Sequence, residues 1–149
     1  MVQRYGDDFN RLLERRLSEE TLSPLSRVEF FMQGAAAWMS QHDFRHGCLI
    51  GNLGQEVGQL PETLREPLQQ ILAGWEQRIA GCLQLAIDSG EIGSQKSAEW
   101  LAHVFWSGWE GAVMRARIER SAAPLESFRQ WFVDSLRVSA PIRAEKAGE

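Results

Sequence analysis

The amino-acid sequence predicts an all-α fold, a bundle of five or six helices. Three observations lead there. Apolar residues recur at spacings of three and four along most of the chain, the period of a helix with one face against a core. Prolines stand at the openings of such stretches, at Pro24, Pro61 and Pro124, where a missing N–H costs least. No window of four to eight residues alternates as a half-buried strand does.

The first stripe is Val2, Tyr5, Phe9, Leu12 and Leu13. No Ser, Thr, Asp or Asn precedes it to cap the first N–H groups. Such a beginning reads as the interior of a longer helix or as a water-capped, frayed end. Ser23-Pro24 then reads as an N-cap followed by a first-turn proline, and Val28, Phe31, Ala35, Trp38 and Met39 continue the period. His42 to Gly47 breaks it, and a short segment from Cys48 to Val57 follows. Pro61 is expected to open the longest helix, with Leu64, Leu68, Ile71, Leu72, Trp75, Ile79, Cys82 and Ala86 on one side and Ser89-Gly90 as its stop. After a Gly-Ser connection, Leu101, Val104, Phe105, Gly108, Ala112 and Ala116 form another stripe. Pro124 starts the last helix, carrying Leu125, Phe128, Trp131, Phe132 and Leu136. Residues 1–138 are thus expected to form one domain, and residues 139–149 a polar, frayed tail.

Composition removes several function classes. The 149 residues are 44% hydrophobic and 24% charged, a globular balance in a chain long enough to bury a core without disulfides or metal. Two cysteines, Cys48 and Cys82, are too few for a disulfide framework, so reduced thiols and a cytoplasmic setting are the default. No signal peptide opens the chain and no apolar run suggests a membrane span. The net charge of −4 argues against direct binding of nucleic acid, which needs clustered cations. Arg115, Arg117 and Arg120 have Glu110, Glu119 and Glu126 among them.

Catalytic and metal motifs are absent. His42 and His46 lie four apart without the glutamate of a zinc-protease helix between them, and His103 stands alone, so no metal is expected. The glycine-rich stretch lacks the Gly-Lys-Ser/Thr ending of a phosphate loop. No nucleophile is accompanied by a base and its orienter, so the chain reads as no enzyme and needs no cofactor. Glu56, Glu110 and Glu119 read as carboxylates on solvated helix faces.

Cys48 carries two competing readings. At the start of a short helix its thiol would be acidified by the helix end, with His46 and Arg45 nearby. Alternatively it is a small buried hydrophobe, as unpaired cysteines commonly are. Gly47, Gly51, Gly54 and Gly58, at spacings of four, three and four, would share one helix face and point to close backbone approach there. The six tryptophans suit a small-molecule cavity or a subunit contact equally. In the stretch after Ser97, Leu101, Phe105, Gly108 and Ala112 define one apolar face, and Ala102, Trp106, Trp109 and Val113 a second. A helix apolar on two faces is expected to be covered on both. Leu101, Phe105, Gly108 and Ala112, with Phe128, Trp131, Phe132 and Leu136 of the final helix, are therefore the expected surface of a homodimer. Its two copies would form a four-helix interface.

Particular segments add a resemblance. Gly47-Cys48-Leu49-Ile50-Gly51-Asn52-Leu53-Gly54-Gln55-Glu56 resembles the middle of many TetR/AcrR-type transcriptional regulators. Trp109-Glu110-Gly111-Ala112, Arg115-Ala116-Arg117 and Pro124-Leu125 resemble their late helices. The order and intervals agree from about Val2 to Leu136, and the Gly-Cys-Leu segment is similar to a branch responsive to acrylate and electrophiles. The resemblance implies a ligand-binding and dimerisation domain, most simply of a repressor. Operator DNA would be met only through a helix-turn-helix domain that this sequence does not match. It also implies that the last two helices form the dimer and that the position of Cys48 takes part in sensing.

On that footing the expected ligand residues are Phe31, Trp38, Cys48, Asn52, Trp75, Trp109 and Arg117. Asn52 would lie one turn from Cys48 on the same side. Arg117 stands where an electrophile-sensing relative carries lysine. A guanidinium stays charged and holds a carboxylate in a fork of hydrogen bonds, which favours a small unsaturated acid over an oxidant as the effector. The rival reading is a stand-alone helical interaction module whose tryptophans serve protein contacts.

Overall fold

The computed structural model describes residues 1–93 and 96–138; the tail expected at 139–149 lies outside them. Six α-helices follow one another: α1 (Val2–Leu17), α2 (Pro24–Gln41), α3 (Leu49–Gln55), α4 (Arg65–Asp88), α5 (Ala98–Glu119) and α6 (Ala123–Leu136). Short 3-10 turns at Val57–Gln59 and Glu62–Leu64 join α3 to α4. Among the described residues there is no strand. Ile92 and Arg137 form one isolated antiparallel bridge, which ties the end of α6 to the loop after α4.

The start and stop signals act largely as their chemistry dictates. The Ser23 hydroxyl accepts from the Ser26 N–H and caps α2, with Pro24 in its first turn. Ser97 does the same for α5 through the Trp100 N–H. Met1 precedes α1 with no side-chain cap. Gly90, at φ +74°, turns the chain out of α4, a left-handed conformation that glycine adopts without penalty. Pro61 does not begin α4. It precedes the 3-10 turn, and α4 starts at Arg65, because the chain must first turn the corner out of α3. The break after α2 is sharp, with Asp43 and Phe44 both at positive φ.

The helix α4 lies at the centre, packed against α1, α2, α3 and α5. α6 closes the other side, against α5 and α2. Leu13, Leu25, Val28, Trp75, Ile79, Leu83, Ala86 and Phe105 are fully or almost fully buried where these helices meet. Cys82 is among them, its thiol donating to the Pro24 carbonyl at 3.1 Å, as its place on the apolar stripe suggested.

The glycine pattern after α2 resolves into two kinds. A Cβ on Gly47 would come within 2.6 Å of Arg117 Cδ, and one on Gly51 within 2.2 Å of Glu110 Oε2, so both allow the chain to lie on α5. Gly54 and Gly58 have nothing within 4 Å. The expected single glycine face is therefore not formed, because α3 ends at Gln55 and Gly58 belongs to the following turn.

Candidate functional site: an aromatic cavity closed by Tyr5, Cys48 and Glu110

A cavity of about 350 Å³ lies between α1, α2, α5 and the chain entering α3. Helical spacing puts each wall in place. From α1 come Tyr5, Asp8, Phe9, Leu12 and Arg16; from α2 come Phe31, Gly34, Ala35, Trp38 and Met39. α5 adds Trp106, Trp109, Glu110 and Val113, at i, i+3, i+4 and i+7 on one face. Gly47 and Cys48 complete the lining. The rings of Phe9, Phe31, Trp106 and Trp109 brace one another. Phe9 meets Phe31 edge-on at 6.0 Å between centroids, and Phe31 lies 5.9 Å from Trp106 and 6.1 Å from Trp109. Edge-to-face contacts of this kind hold aromatic walls without collapsing the space between them.

One end of the cavity is polar. The Tyr5 hydroxyl accepts from the Leu49 N–H at 3.3 Å and hydrogen-bonds Cys48. Cys48 is the N-cap of α3, its sulfur accepting from the Gly51 N–H at 3.4 Å. Its S–H faces the Glu110 carboxylate. Burial pushes the Cys48 thiol up to about 12, and the neighbouring Glu110 charge adds to the rise. Burial likewise raises Glu110, partly offset by the thiol hydrogen bond, and raises the Tyr5 hydroxyl above the usual phenol range. The acidified-thiol reading of Cys48 is thereby corrected: desolvation and a facing carboxylate outweigh the help of the α3 amides. At pH 7.5, alkylation of Cys48 by iodoacetamide is expected to run about a thousand-fold slower in the folded protein than in urea. That factor follows from the separation of about 12 from the ordinary 9.0. Mass mapping of the Cys48 and Cys82 peptides checks it, and equal rates in the two states would refute it.

The expected ligand residues divide in two. Phe31, Trp38, Cys48 and Trp109 line the cavity. Trp38 does so from its rim, 46% exposed and stacked on His42 at 4.2 Å. Trp75 is fully buried behind the wall, 4.4 Å from Phe9 and 5.3 Å from Trp106. Asn52 and Arg117 face an outer groove instead. There the Arg117 guanidinium donates to Asn52 Oδ1 at 2.8 Å. Gly47, which lines the cavity, lies against the Arg117 side chain, and neither Arg117 nor Asn52 lines the cavity, so the guanidinium expected to grip an acid sits outside. Sequence reasoning missed Tyr5, Phe9, Trp106 and Glu110 as wall residues. The spacing of Trp106, Trp109, Glu110 and Val113 was the available signal, a carboxylate set within an apolar face.

The residues expected at a homodimer surface also divide. Leu101, Phe105, Ala112, Phe132 and Leu136 are buried within the single chain. Both apolar faces foreseen on α5 are covered internally, one by α6 and the other by α1, α2 and α4. Gly108 seats the Phe128 ring, which a Cβ would meet at 2.3 Å. What remains outward is a stripe of Trp100, Met114 and Ile118 on α5, with Trp131 on α6. Trp100 is 48% exposed, Ile118 75% and Trp131 58%.

Comparison with known proteins fits this architecture. Residues 24–132 match the model of the tetracyclin repressor-like C-terminal domain. The chain belongs to that family. It is 40% identical over 132 residues to the transcriptional regulator AcuR of Cereibacter sphaeroides, covering 89% of this chain and 60% of that protein. It is 28% identical over 128 residues to the HTH-type transcriptional repressor DhaR of a Mycobacterium species, covering 86% of this chain and 63% of that one. The chain thus spans about three fifths of the length of the curated relatives it matches. A crystal structure of a regulatory protein TetR from Rhodobacter sphaeroides superposes with a TM-score of 0.88 at 39% identity. That match covers 91% of this chain and 71% of the other. The named relatives of this tetracyclin repressor-like domain are regulators of transcription.

Proposed function

We propose that this chain is the effector-binding and dimerisation part of a TetR-type regulator, in full length a cytoplasmic repressor, whose cavity takes a small organic molecule. The observation that carries the reading is the aromatic cavity beside α1. Its volume falls in the range of small-molecule sites, and α1 supplies five of its lining residues. A ligand there favours one seating of α1 against α2 and α4 over another. It can shift that equilibrium only by its difference in affinity for the two. DNA would be bound by a separate domain, which agrees with the acidic balance of this chain.

An unsaturated acid or an electrophile was the effector expected from Arg117 and Cys48. With Arg117 held on Asn52 and the Cys48 thiol kept protonated, the cavity favours an apolar body with one polar group. Dimerisation is assigned to the outward stripe of α5 and α6. Trp38, Trp106 and Trp109 make fluorescence the direct test. Titration with a panel of small organics, acrylate included, is expected to change the emission saturably. Ala35→Leu, which puts a side chain into the cavity, is expected to remove the response while helical circular dichroism stays. No response from any member of the panel would overturn the reading.

A further inference from the structure

Glu110 is a part-buried carboxylate in a largely aromatic cavity that Asp8 and Arg16 also line, and the Cys48 thiol hydrogen-bonds it. Among the described residues no cation pairs with it. Arg117, two turns along the same helix, is bound to Asn52. Arg16 also lines the cavity but lies eleven residues from Tyr5 on α1, roughly 16 Å along the axis. It stacks on Phe30 at 4.5 Å. A carboxylate largely removed from water without a cation is costly, and among the described residues none is paired with Glu110. Phe9, Phe31, Trp106 and Trp109 line the same cavity, and aromatic rings carry the negative face potential that attracts an alkylated cation.

We propose that the effector of this cavity is a small alkylated organic cation, an ammonium or its equivalent, held by the aromatic rings and neutralised by Glu110. This deepens the small-molecule reading above and rests on it. An anion would instead meet the Glu110 charge, and the Arg16 guanidinium that also lines the cavity is engaged with the Phe30 ring. A neutral molecule of the same shape would fill the space but leave the carboxylate unpaired. Binding of the cation is coupled to the state of Glu110, which burial holds above the usual carboxylate range. The cation favours the ionised form, so its affinity rises with pH through that range, while a neutral isostere is indifferent. The other titratable groups at the cavity are Tyr5, Asp8 and Arg16 on α1 and Cys48 before α3. His42 and His46 stand beyond Trp38 on the α2 side.

The test compares choline, its neutral isostere 3,3-dimethylbutan-1-ol, and acrylate by tryptophan fluorescence and calorimetry. Choline is expected to bind at least about ten-fold more tightly than the isostere, and more tightly as pH rises. Glu110→Gln is expected to erase that preference while the isostere binds as before, which also shows that the variant is folded. Equal or tighter binding of the isostere or acrylate in the unaltered protein would overturn the cation inference and leave the cavity reading standing. So would a choline preference that survives in Glu110→Gln. No binding by any of the three would refute this inference, and the wider panel above then decides the cavity reading.

Discussion

Replacing Phe105 with alanine is expected to destabilise the domain by about 3–5 kcal/mol, the cost of deleting a large, fully enclosed ring. The ring is wholly buried and joins three helices. It meets Phe31 of α2, Trp109 of its own helix, and Phe128 and Phe132 of α6 at centroid distances of 6.5, 6.3, 5.9 and 5.1 Å. No neighbour can close the gap without leaving its own contacts, so most of the cavity penalty persists. Urea unfolding at fixed protein concentration reads the effect. The midpoint should fall by roughly 1–3 M for a domain with an ordinary denaturant dependence. A shift below about 0.5 M would mean that Phe105 does not join α2, α5 and α6 as described.

Trp131→Arg is expected to convert dimers into monomers on a sizing column. Trp131 is 58% exposed on α6, and Ile118, in the outward stripe of α5, is 75% exposed. Large apolar side chains grouped on one face of a small domain mark a surface that is normally covered. A guanidinium placed within such a covered surface must lose water without a counter-charge, which costs several kcal/mol. Each 1.4 kcal/mol is a factor of ten in dissociation constant, so a dimer stable at micromolar concentration should come apart. Gln84→Arg, on the exposed side of α4, is the control and should leave the elution unchanged. A Trp131→Arg protein that still elutes as a dimer would move the interface elsewhere. The same change should scarcely alter the packing that Phe105 holds, which separates the two roles that the sequence merged.

That merging shows where reading the chain alone falls short. The 3.6-residue period identified Leu101, Phe105, Ala112, Phe132 and Leu136 correctly as covered positions. It carries no information about whether the cover is another helix of the same chain or a second copy. The same limit affected the site. Trp75 and Trp109 both lie on apolar faces, yet one backs the cavity wall and the other forms it. Glu110 was indistinguishable from a solvated glutamate until α1 and the segment before α3 were laid over it. For Cys48 the local signal was real, since it caps α3. Burial beneath the packed helices, joined by the carboxylate from α5 sixty-two positions later, reverses its acidity.

The order of the helices, the cap at Ser23 and the inward faces of the long helices followed from the sequence. These depend on residues within a few positions of one another and on the free energy of covering apolar surface. Tertiary structure alone decided which aromatic rings line the cavity, which carboxylate lacks a cation and which apolar stripe still faces outward. Those properties belong to gaps and juxtapositions between distant segments, set by the way six rods pack around α4.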